Sequence, residues 1–341
     1  MSMETLQAPF VYFGGKSRIA DEVWSRLGDP VNYVEPFAGS LAVLLARPTA
    51  PRVETVNDLD GMIANFWRAV KHAPEVVAEY ADNPVNENDL HARHAWLVER
   101  RESLTARLEG DPDFYDAKMA GWWVWGINCW IGSGWCSGRG PWVAVDGELV
   151  HVGAGGVDRK RPHLSGSGQG VNRKLPHLGG SGQGVEEGER REALGEWFRA
   201  LQARLRGVRV CSGDWTRVTG PCVTFGQGLT AVFLDPPYAD TAGRAEVYAK
   251  DCDQVAHRVR EWAIAEGENP QMRIALCGYE GEHEMPKSWE CVAWKARKGY
   301  GGQRQSGVNN NSARERIWFS PHCLRPSDDL LALCGLDEVT A

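Results

Sequence analysis

NYVEPFAGSLAVLLARPTAPRVETVNDLDGMIANFWRAVK, at residues 32–71, contains two strand-then-helix units in succession. The first unit is a short apolar strand, a turn at residues 36–39 and a small apolar helix that Pro48 stops. The second is a strand-like run from Val53 to Val56, followed by Asp60, whose side chain is suited to capping a helix. Two such units in a row predict an α/β protein with a doubly wound, mostly parallel sheet.

The same alternation of strand and helix appears towards both ends of the chain. Residues 9–27, PFVYFGGKSRIADEVWSRL, predict an extended segment, a glycine pair and an amphipathic helix with Ile19, Val23 and Leu27 on one face. In the last third, TAVFLDPPYAD at residues 230–240 predicts a buried strand that ends in an acidic, proline-rich turn. A helix at residues 257–267 and strands at residues 272–279 and 315–320 are also predicted.

The pattern changes between about Glu75 and Arg206. A tryptophan-rich and glycine-rich stretch at residues 121–142 is followed by two near-identical 14-residue copies at residues 157–184, VDRKRPHLSGSGQG and VNRKLPHLGGSGQG. Two polar copies are too few for a stacked repeat fold, so an exposed loop is predicted. A helix at residues 186–205 then leads into the strand VRVCSGD. We therefore expect one α/β domain in two parts, at residues 1–78 and 208–325, with an insertion at 79–207 and a C-terminal tail at 326–341.

Composition describes an ordinary globular chain of 341 residues, with 43% hydrophobic residues and a formal net charge of −7. The nine cysteines include no C-x-x-C pair, which favours reduced thiols over disulfides or a zinc site. No charged-then-apolar leader and no apolar run near ~18 residues is found, so neither export nor a membrane span is predicted and a cytoplasmic location is expected. The negative net charge argues mildly against nucleic acid as a partner, so the case for nucleic-acid binding depends on local clusters of basic residues.

The sharpest motif is the run Asp235, Pro236, Pro237 and Tyr238, which stands where a parallel sheet binds its ligands, directly after a predicted buried strand. A carboxylate and a fixed carbonyl oxygen there can accept the two N–H bonds of an exocyclic amine. The nitrogen can then attack a sulfonium methyl group in line, helped by acceptors that are fixed in advance. The tyrosine ring can stack on a base that has left its duplex. The alternative is a Pro-Pro turn with a capping aspartate.

Four motifs follow one another along the chain: FGGK at residues 13–16, EPFAGS at 35–40, NDLD at 57–60 and DPPY at 235–238. In kind and order they resemble the Dam-type, or alpha, group of DNA adenine N6-methyltransferases, over roughly residues 9–75 and 208–320. The resemblance implies a Rossmann-like methyltransferase sheet with a target-recognition domain inserted at residues 79–207. It also implies S-adenosyl-L-methionine as cofactor, double-stranded DNA as partner, and direct transfer to the N6 amino group of a flipped adenine.

The resemblance further implies roles for individual residues. Catalytic roles fall to Asp235, Pro236, Pro237 and Tyr238, and cofactor contacts to Tyr12, Gly14, Gly15, Lys16, Glu35, Pro36, Phe37, Gly39, Asp58 and Asp235. Lys16 is suited to the methionine carboxylate and Asp58 to the ribose hydroxyls. Leu41 departs from the family, which often has a second glycine at that position, so a differently shaped cofactor loop is expected.

Two segments locally reverse the negative charge of the chain. Residues 295–319 contain six basic residues and a single acid, Glu315, while the tandem repeat interleaves basic residues with glycine. Contact with DNA is predicted for both segments, with a solvated surface loop as the alternative. The predicted DNA-binding residues are Arg159, Lys160, Arg161, Arg173, Lys174, Arg297, Lys298 and Arg304. Asn309 to Asn311 are further candidates for substrate contact.

Other polar and aromatic groups receive no catalytic role from the sequence. No metal site is predicted, because His151, His163 and His177 lack a neighbouring cysteine or carboxylate pattern. Asp214 and Trp215 resemble a family segment near the cofactor adenine, but a capping aspartate and a core tryptophan explain them equally well. Large aromatic residues are more often core than base-stacking surface. That interpretation is applied to Trp122, Trp123, Trp125, Trp130, Trp135 and Trp142.

Several competing functions stay open at this stage. Methylation of the cytosine N4 amine uses the same kind of turn, although an aspartate at position 235 favours adenine. A non-catalytic DNA-binding relative and an RNA-modifying enzyme are two further competing functions. Pro221 and Cys222 briefly suggest the nucleophile of carbon-5 cytosine methylation, but Val223 follows them where that chemistry requires a different turn. The DNA target sequence, the biological role, any partner endonuclease and the oligomeric state are not indicated by the sequence.

Overall fold

The computed structural model describes residues 6–10, 16–130, 135–136, 142–145, 148–151, 187–238, 246–294 and 314–325. Only the backbone is described at residues 142–145, 148–151, 187–190 and 246–253. Within these segments, no helix has the length and apolar character needed to cross a membrane.

The described strands form one large sheet and one separate hairpin. In chain order the strands are β1 (Asn32–Glu35), β2 (Val53–Asp58), β3 (Trp142–Val145), β4 (Glu148–His151), β5 (Val208–Ser212), β6 (Thr230–Leu234), β7 (Met272–Tyr279), β8 (Glu290–Ala293) and β9 (Glu315–Phe319). The large sheet has the order β5-β2-β1-β6-β7-β9-β8, and β3 pairs with β4. Strands β5, β2, β1, β6 and β7 are parallel, whereas β9 runs antiparallel to both β7 and β8.

Helices flank the large sheet, which confirms the predicted doubly wound, Rossmann-like α/β class. In chain order they are α1 (Ala20–Leu27), α2 (Ala42–Leu45), α3 (Gly61–His72), α4 (Pro74–Ala81), α5 (Glu87–Gly110), α6 (Ala117–Cys129), α7 (Glu187–Leu205) and α8 (Glu246–Gly267). Asp60 caps α3 as predicted, because its side chain accepts a hydrogen bond from the Met62 backbone N–H at 2.9 Å. The strand β8 was not predicted, since it has only four residues and none of its side chains is buried.

Helix α3 lies at the centre of the molecule and is buried on nearly all sides. It contacts strands β2 and β5 as well as helices α4, α5, α6 and α7, so helices from residues 79–207 share one core with the sheet. Trp123 and Trp125 are buried in the described part of this region, which confirms their interpretation as core. Trp122, Trp130 and Trp135 are half-buried, and the Trp142 side chain lies outside the described residues.

The order of the strands brings four strand ends together. From β1 the chain adds β2 and then β5 on one side, and it later places β6 on the other side of β1. Because these four strands are parallel, their carboxyl ends lie at one edge of the sheet. The switch between β1 and β6 at this edge is where open α/β sheets bind ligands.

A buried ion network fastens α7 to the sheet. Glu54 of β2 is 2% exposed, and its two carboxylate oxygens accept hydrogen bonds from Arg204 at 2.6 and 2.9 Å and from Arg47 at 3.1 Å. Arg204 also donates to the Leu44 carbonyl oxygen of α2 at 2.8 Å. The chain therefore returns from α7 into β5 with its helix end fixed against β2.

Replacing Arg204 with methionine is expected to lower the free energy of unfolding by about 3 kcal/mol, because one partner of a buried carboxylate is lost. The measurement is denaturant-induced unfolding followed by circular dichroism. Arg191→Met is the matched control, since Arg191 is 73% exposed and pairs with Asp82 at the surface. That control should change the free energy by less than about 1 kcal/mol. Equal effects of the two variants would contradict the role assigned to Arg204.

Candidate active site

The DPPY turn begins immediately after the last residue of β6, at the switch point of the sheet. Pro236 and Tyr238 are buried, Asp235 is half-buried and Pro237 is exposed. A run of fully buried apolar residues in β6 and two prolines after Asp235 leave this turn little conformational freedom. Asp235 is thereby presented at the edge where the ends of β1, β2 and β5 also lie.

Lys16 forms an ion pair with this aspartate. The distance from Lys16 Nζ to Asp235 Oδ2 is 2.8 Å, and the lysine side chain is only 4% exposed. Its ammonium group also lies 5.4 Å from the centre of the Tyr238 ring and 5.5 Å from that of Trp294. Burial works against the charge on Lys16, but Asp235 and other acidic neighbours raise its pKa overall. Lys16 is therefore charged and compensates the charge of the Asp235 carboxylate.

The hydroxyl group of Tyr238 connects Asp235 to a second acid. Its oxygen lies 3.1 Å from Asp235 Oδ1 and 2.9 Å from Glu315 Oε2 of β9. The ring packs edge-on against Tyr279 of β7, with centroids 4.6 Å apart. Burial, together with the nearby carboxylates, holds the pKa of Tyr238 well above its ordinary value, so the phenol keeps its proton.

Glu35, the last residue of β1, is buried beside this group. It is 2% exposed and accepts a hydrogen bond from the Tyr33 hydroxyl at 2.9 Å. Burial raises its pKa from 4.5 to about 8, and the Asp235 carboxylate in the turn after β6 adds to this rise. The Glu35 side chain is therefore mostly protonated at neutral pH.

Asp58, at the end of β2, shapes the loop that follows β1. Its carboxylate accepts backbone hydrogen bonds from Gly39 at 2.9 Å and from Asp60 at 2.8 Å. Burial is the main reason that its pKa rises to about 7, with Asp60 contributing to the rise. Trp67 of α3 holds the same loop by donating to the Gly39 carbonyl oxygen at 2.9 Å.

Leu41 adopts a backbone conformation that normally favours glycine. Its φ is +53°, in the left-handed region, and that of Gly39 is +45°. A non-glycine residue in this region costs about 1 kcal/mol, but the Leu41 side chain is fully buried and this burial offsets the cost. Leu41, which stands where the family often has glycine, therefore adopts a backbone conformation that glycine favours.

Three buried polar atoms at or just after the carboxyl ends of β2 and β5 have no partner among the described residues. They are Asn57 Oδ1, Ser212 Oγ and Trp215 Nε1. The half-exposed ring of Phe37 faces the Trp215 ring, with centroids 6.5 Å apart and planes 30° apart. Asp214 caps the short helix that begins at Trp215, because its side chain accepts from the Thr216 backbone N–H at 3.0 Å.

Several predicted site residues lie outside the described residues. They are Tyr12, Gly14 and Gly15 of the glycine motif and all eight predicted DNA-binding residues: Arg159, Lys160, Arg161, Arg173, Lys174, Arg297, Lys298 and Arg304. Asn309 to Asn311 also fall outside. Cys222 is described, but its segment contacts the first residue of β1, where Asn32 donates to the Val223 carbonyl oxygen at 2.7 Å. It thus lies at the opposite edge of the sheet from Asp235.

Glu315 and Trp294 are site residues that the sequence did not reveal. For Glu315 a signal could have been used: it is the single acid in a basic segment, and it stands at the start of a buried strand. Trp294 follows β8 and its backbone N–H donates to the Glu315 carbonyl oxygen at 3.2 Å. No local pattern around Trp294 indicates that its ring contacts Lys16.

The raised pKa of Glu35 predicts a pH-dependent stability. A carboxyl group with an ordinary pKa of 4.5 when unfolded and about 8 when folded binds its proton more tightly in the folded state. The free energy of unfolding should therefore fall as the pH rises from about 4.5 to about 8. Glu35→Gln should flatten this dependence in denaturant titrations at several pH values, with a residual slope from Asp58. Glu196→Gln, at an exposed position on α7, is the control. Parallel pH profiles for Glu35→Gln and the wild type would contradict the assignment.

Residues 12–110 match the model of the D12 class N6 adenine-specific DNA methyltransferases. The matched segment contains Lys16, Glu35, Gly39 and Asp58, and it ends before the DPPY turn. No curated protein gives a match to the chain. The resemblance predicted from the motifs is confirmed in this segment: over residues 12–110 the chain is similar to the D12 class, a family of enzymes that methylate adenine N6 in DNA.

Proposed function

We propose that this protein transfers a methyl group from S-adenosyl-L-methionine to the exocyclic N6 amino group of adenine in double-stranded DNA. The observation that carries the proposal is the position of Asp235, which follows β6 at the switch point and is held by Lys16 and Tyr238. The family match at residues 12–110 supports DNA adenine as the substrate class. The DPPY turn supplies the acceptors that an exocyclic amine requires.

The residues at the carboxyl ends of β1, β2 and β5 fit S-adenosyl-L-methionine chemically. The Asp58 carboxylate is suited to ribose hydroxyls and the Phe37 ring to the adenine face. Asn57 Oδ1, Ser212 Oγ and Trp215 Nε1 are buried without partners among the described residues, and such atoms are costly unless a ligand or water satisfies them. Pro36 and Gly39 are proposed to let the backbone approach the cofactor closely. The cofactor contacts proposed for Tyr12, Gly14 and Gly15 rest on the glycine motif at residues 13–16.

Lys16 has two proposed tasks. It orients the Asp235 carboxylate through the 2.8 Å ion pair. An ammonium group has three donors, so this pairing is compatible with a second contact to the methionine carboxylate of the cofactor. The pair also places a positive charge beside the Asp235 carboxylate, whose oxygens accept hydrogen bonds.

Asp235 and the Pro236 carbonyl oxygen are proposed to accept the two N–H bonds of the target amine. Each carboxylate oxygen has two lone pairs, so Asp235 retains acceptor capacity while it contacts Lys16 and Tyr238. The amine lone pair is thereby directed away from the ring of the base. When bound, S-adenosyl-L-methionine would supply an electrophilic methyl group on its sulfonium, and the proton that the amine loses on methylation would pass to solvent. Tyr238 stacks on the base, which must leave the duplex to reach this turn.

DNA contact is proposed for the basic segments identified in the sequence. The tandem repeat provides Arg159, Lys160, Arg161, Arg173 and Lys174, and the segment before β9 provides Arg297, Lys298 and Arg304. Basic side chains supply the salt-dependent part of DNA affinity, and residues interleaved with glycine can follow a groove. The repeats belong to the proposed target-recognition insertion at residues 79–207.

The first test is to incubate the purified protein with unmethylated duplex DNA and S-adenosyl-L-methionine, digest the DNA to nucleosides and identify the modified base by mass spectrometry. N6-methyldeoxyadenosine is the expected product. N4-methyldeoxycytidine would show that the same mechanism acts on cytosine. The absence of any methylated nucleoside would favour a binding-only protein or an RNA substrate.

Asp235→Ala is expected to lower the rate of methyl transfer by at least about a hundredfold, because a preorganised acceptor of the target amine is lost. Cofactor affinity, measured by calorimetry, should stay within a few fold of the wild type. Asp113→Ala is the matched control, since Asp113 is exposed in the loop between α5 and α6. Near-normal turnover of Asp235→Ala would refute the role proposed for this residue.

Deletion of residues 171–184, the second copy of the tandem repeat, should change DNA affinity or target choice more than cofactor affinity. The physical reason is the loss of Arg173 and Lys174 from a segment proposed to contact DNA. Filter binding at several salt concentrations measures the effect, and the slope against salt should become shallower. Unchanged DNA binding and target choice would make the repeat a spacer.

A further inference from the structure

The Tyr238 hydroxyl group has two carboxyl neighbours but only one proton to donate. Its oxygen lies 3.1 Å from Asp235 Oδ1 and 2.9 Å from Glu315 Oε2. A phenol has one proton and donates to one acceptor at a time, while its oxygen also accepts. Both contacts are satisfied as separate hydrogen bonds when one of the two carboxyl groups carries a second proton.

The surroundings identify Glu315 as the carrier of that proton. Asp235 already forms an ion pair with the Lys16 ammonium group, with 2.8 Å between Nζ and Oδ2. Glu315 is 4% exposed, and burial raises its pKa above 4.5, with Asp235 and Glu282 adding to the rise against the opposing effect of Lys16 and Tyr238. The neighbouring Arg316 pairs with Glu280 at 2.8 Å and donates to the backbone oxygen of Glu315.

We infer that Glu315 is a positioning residue for Tyr238: its protonated carboxyl donates to the tyrosine oxygen, and the tyrosine in turn donates to Asp235. This relay rests on the proposed function, because it orients the ring that stacks on the base and the carboxylate that accepts the target amine. Its direction is fixed, since Lys16 holds the charge at one end and Glu315 the proton at the other. The role is built into the sheet, because Glu315 pairs with Tyr279 in the ladder between β9 and β7.

The relay explains why an acid stands at the start of β9. Tyr279 contacts the edge of the Tyr238 ring and the Lys16 ammonium lies near its face, but neither contact fixes the hydroxyl group. Glu315 contacts the hydroxyl oxygen through Oε2 at 2.9 Å. A glutamine at this position offers an amide N–H to the tyrosine oxygen as the protonated acid does, whereas a methionine of similar volume offers no donor.

The kinetic test uses Glu315→Gln, Glu315→Met, Tyr238→Phe and the double variant Glu315→Met/Tyr238→Phe in the full chain. Glu315→Gln should keep kcat within about threefold of the wild type, and Glu315→Met should lower it about tenfold or more with little change in the cofactor KM. In the Tyr238→Phe background, Glu315→Met should add little further loss, because the hydroxyl group it acts on is absent. Equal losses in Glu315→Gln and Glu315→Met, or additive losses in the double variant, would overturn the inference.

A spectroscopic test separates this inference from the proposed function. The infrared difference spectrum between the wild type and Glu315→Gln at neutral pH should contain a protonated-carboxyl C=O band that shifts in deuterium oxide. The measurement needs no substrate, so it stands even if no methylated base is found in DNA. Absence of the band in folded protein, with thermal unfolding confirming that both proteins are folded, would show that Glu315 is ionised and would overturn the relay.

Discussion

The ion pair between Lys16 and Asp235 holds two distant parts of the chain together at the site. It joins the segment before α1 to the turn after β6, two parts of the chain that are far apart in sequence. Breaking a buried pair typically costs about 3–5 kcal/mol, because the remaining charge has no partner. Around this pair, burial is the main reason that the pKa values of Tyr238, Glu35 and Glu315 are raised, and the nearby Asp235 carboxylate adds to each rise.

Three carboxyl groups of the sheet, Glu54, Asp58 and Glu35, are held by different kinds of partner. Glu54 is compensated by two guanidinium groups and fastens α7. Asp58 receives backbone N–H groups and shapes the loop after β1. Glu35 accepts a hydrogen bond from the hydroxyl group of Tyr33 and is mostly protonated at neutral pH. The first arrangement serves stability, whereas the other two place carboxyl groups with raised pKa values at the carboxyl ends of β1 and β2.

Local patterns predicted the elements of this structure better than their contacts. The periodicity of residues 32–71, the Asp60 cap and the apolar run before Asp235 depend on neighbouring residues, and each prediction is confirmed. The sequence could not indicate that Lys16 pairs with Asp235, or that Glu315 reaches Tyr238, because these contacts depend on the strand order. Leu41 illustrates the opposite limit. A pattern that expects glycine cannot show that a buried leucine will adopt the same left-handed backbone.

The position of β9 has a consequence for how the protein is made. Among the described strands of the sheet, β9 is the last to leave the ribosome, yet it lies between β7 and β8, which are synthesised earlier. A nascent chain can align its parallel strands and form the DPPY turn before β9 is available, but Glu315 is then absent from beside Tyr238. The site is therefore complete only after β9 has joined the sheet. A partly synthesised chain contains Lys16 and Asp235 but lacks the strand that carries Glu315.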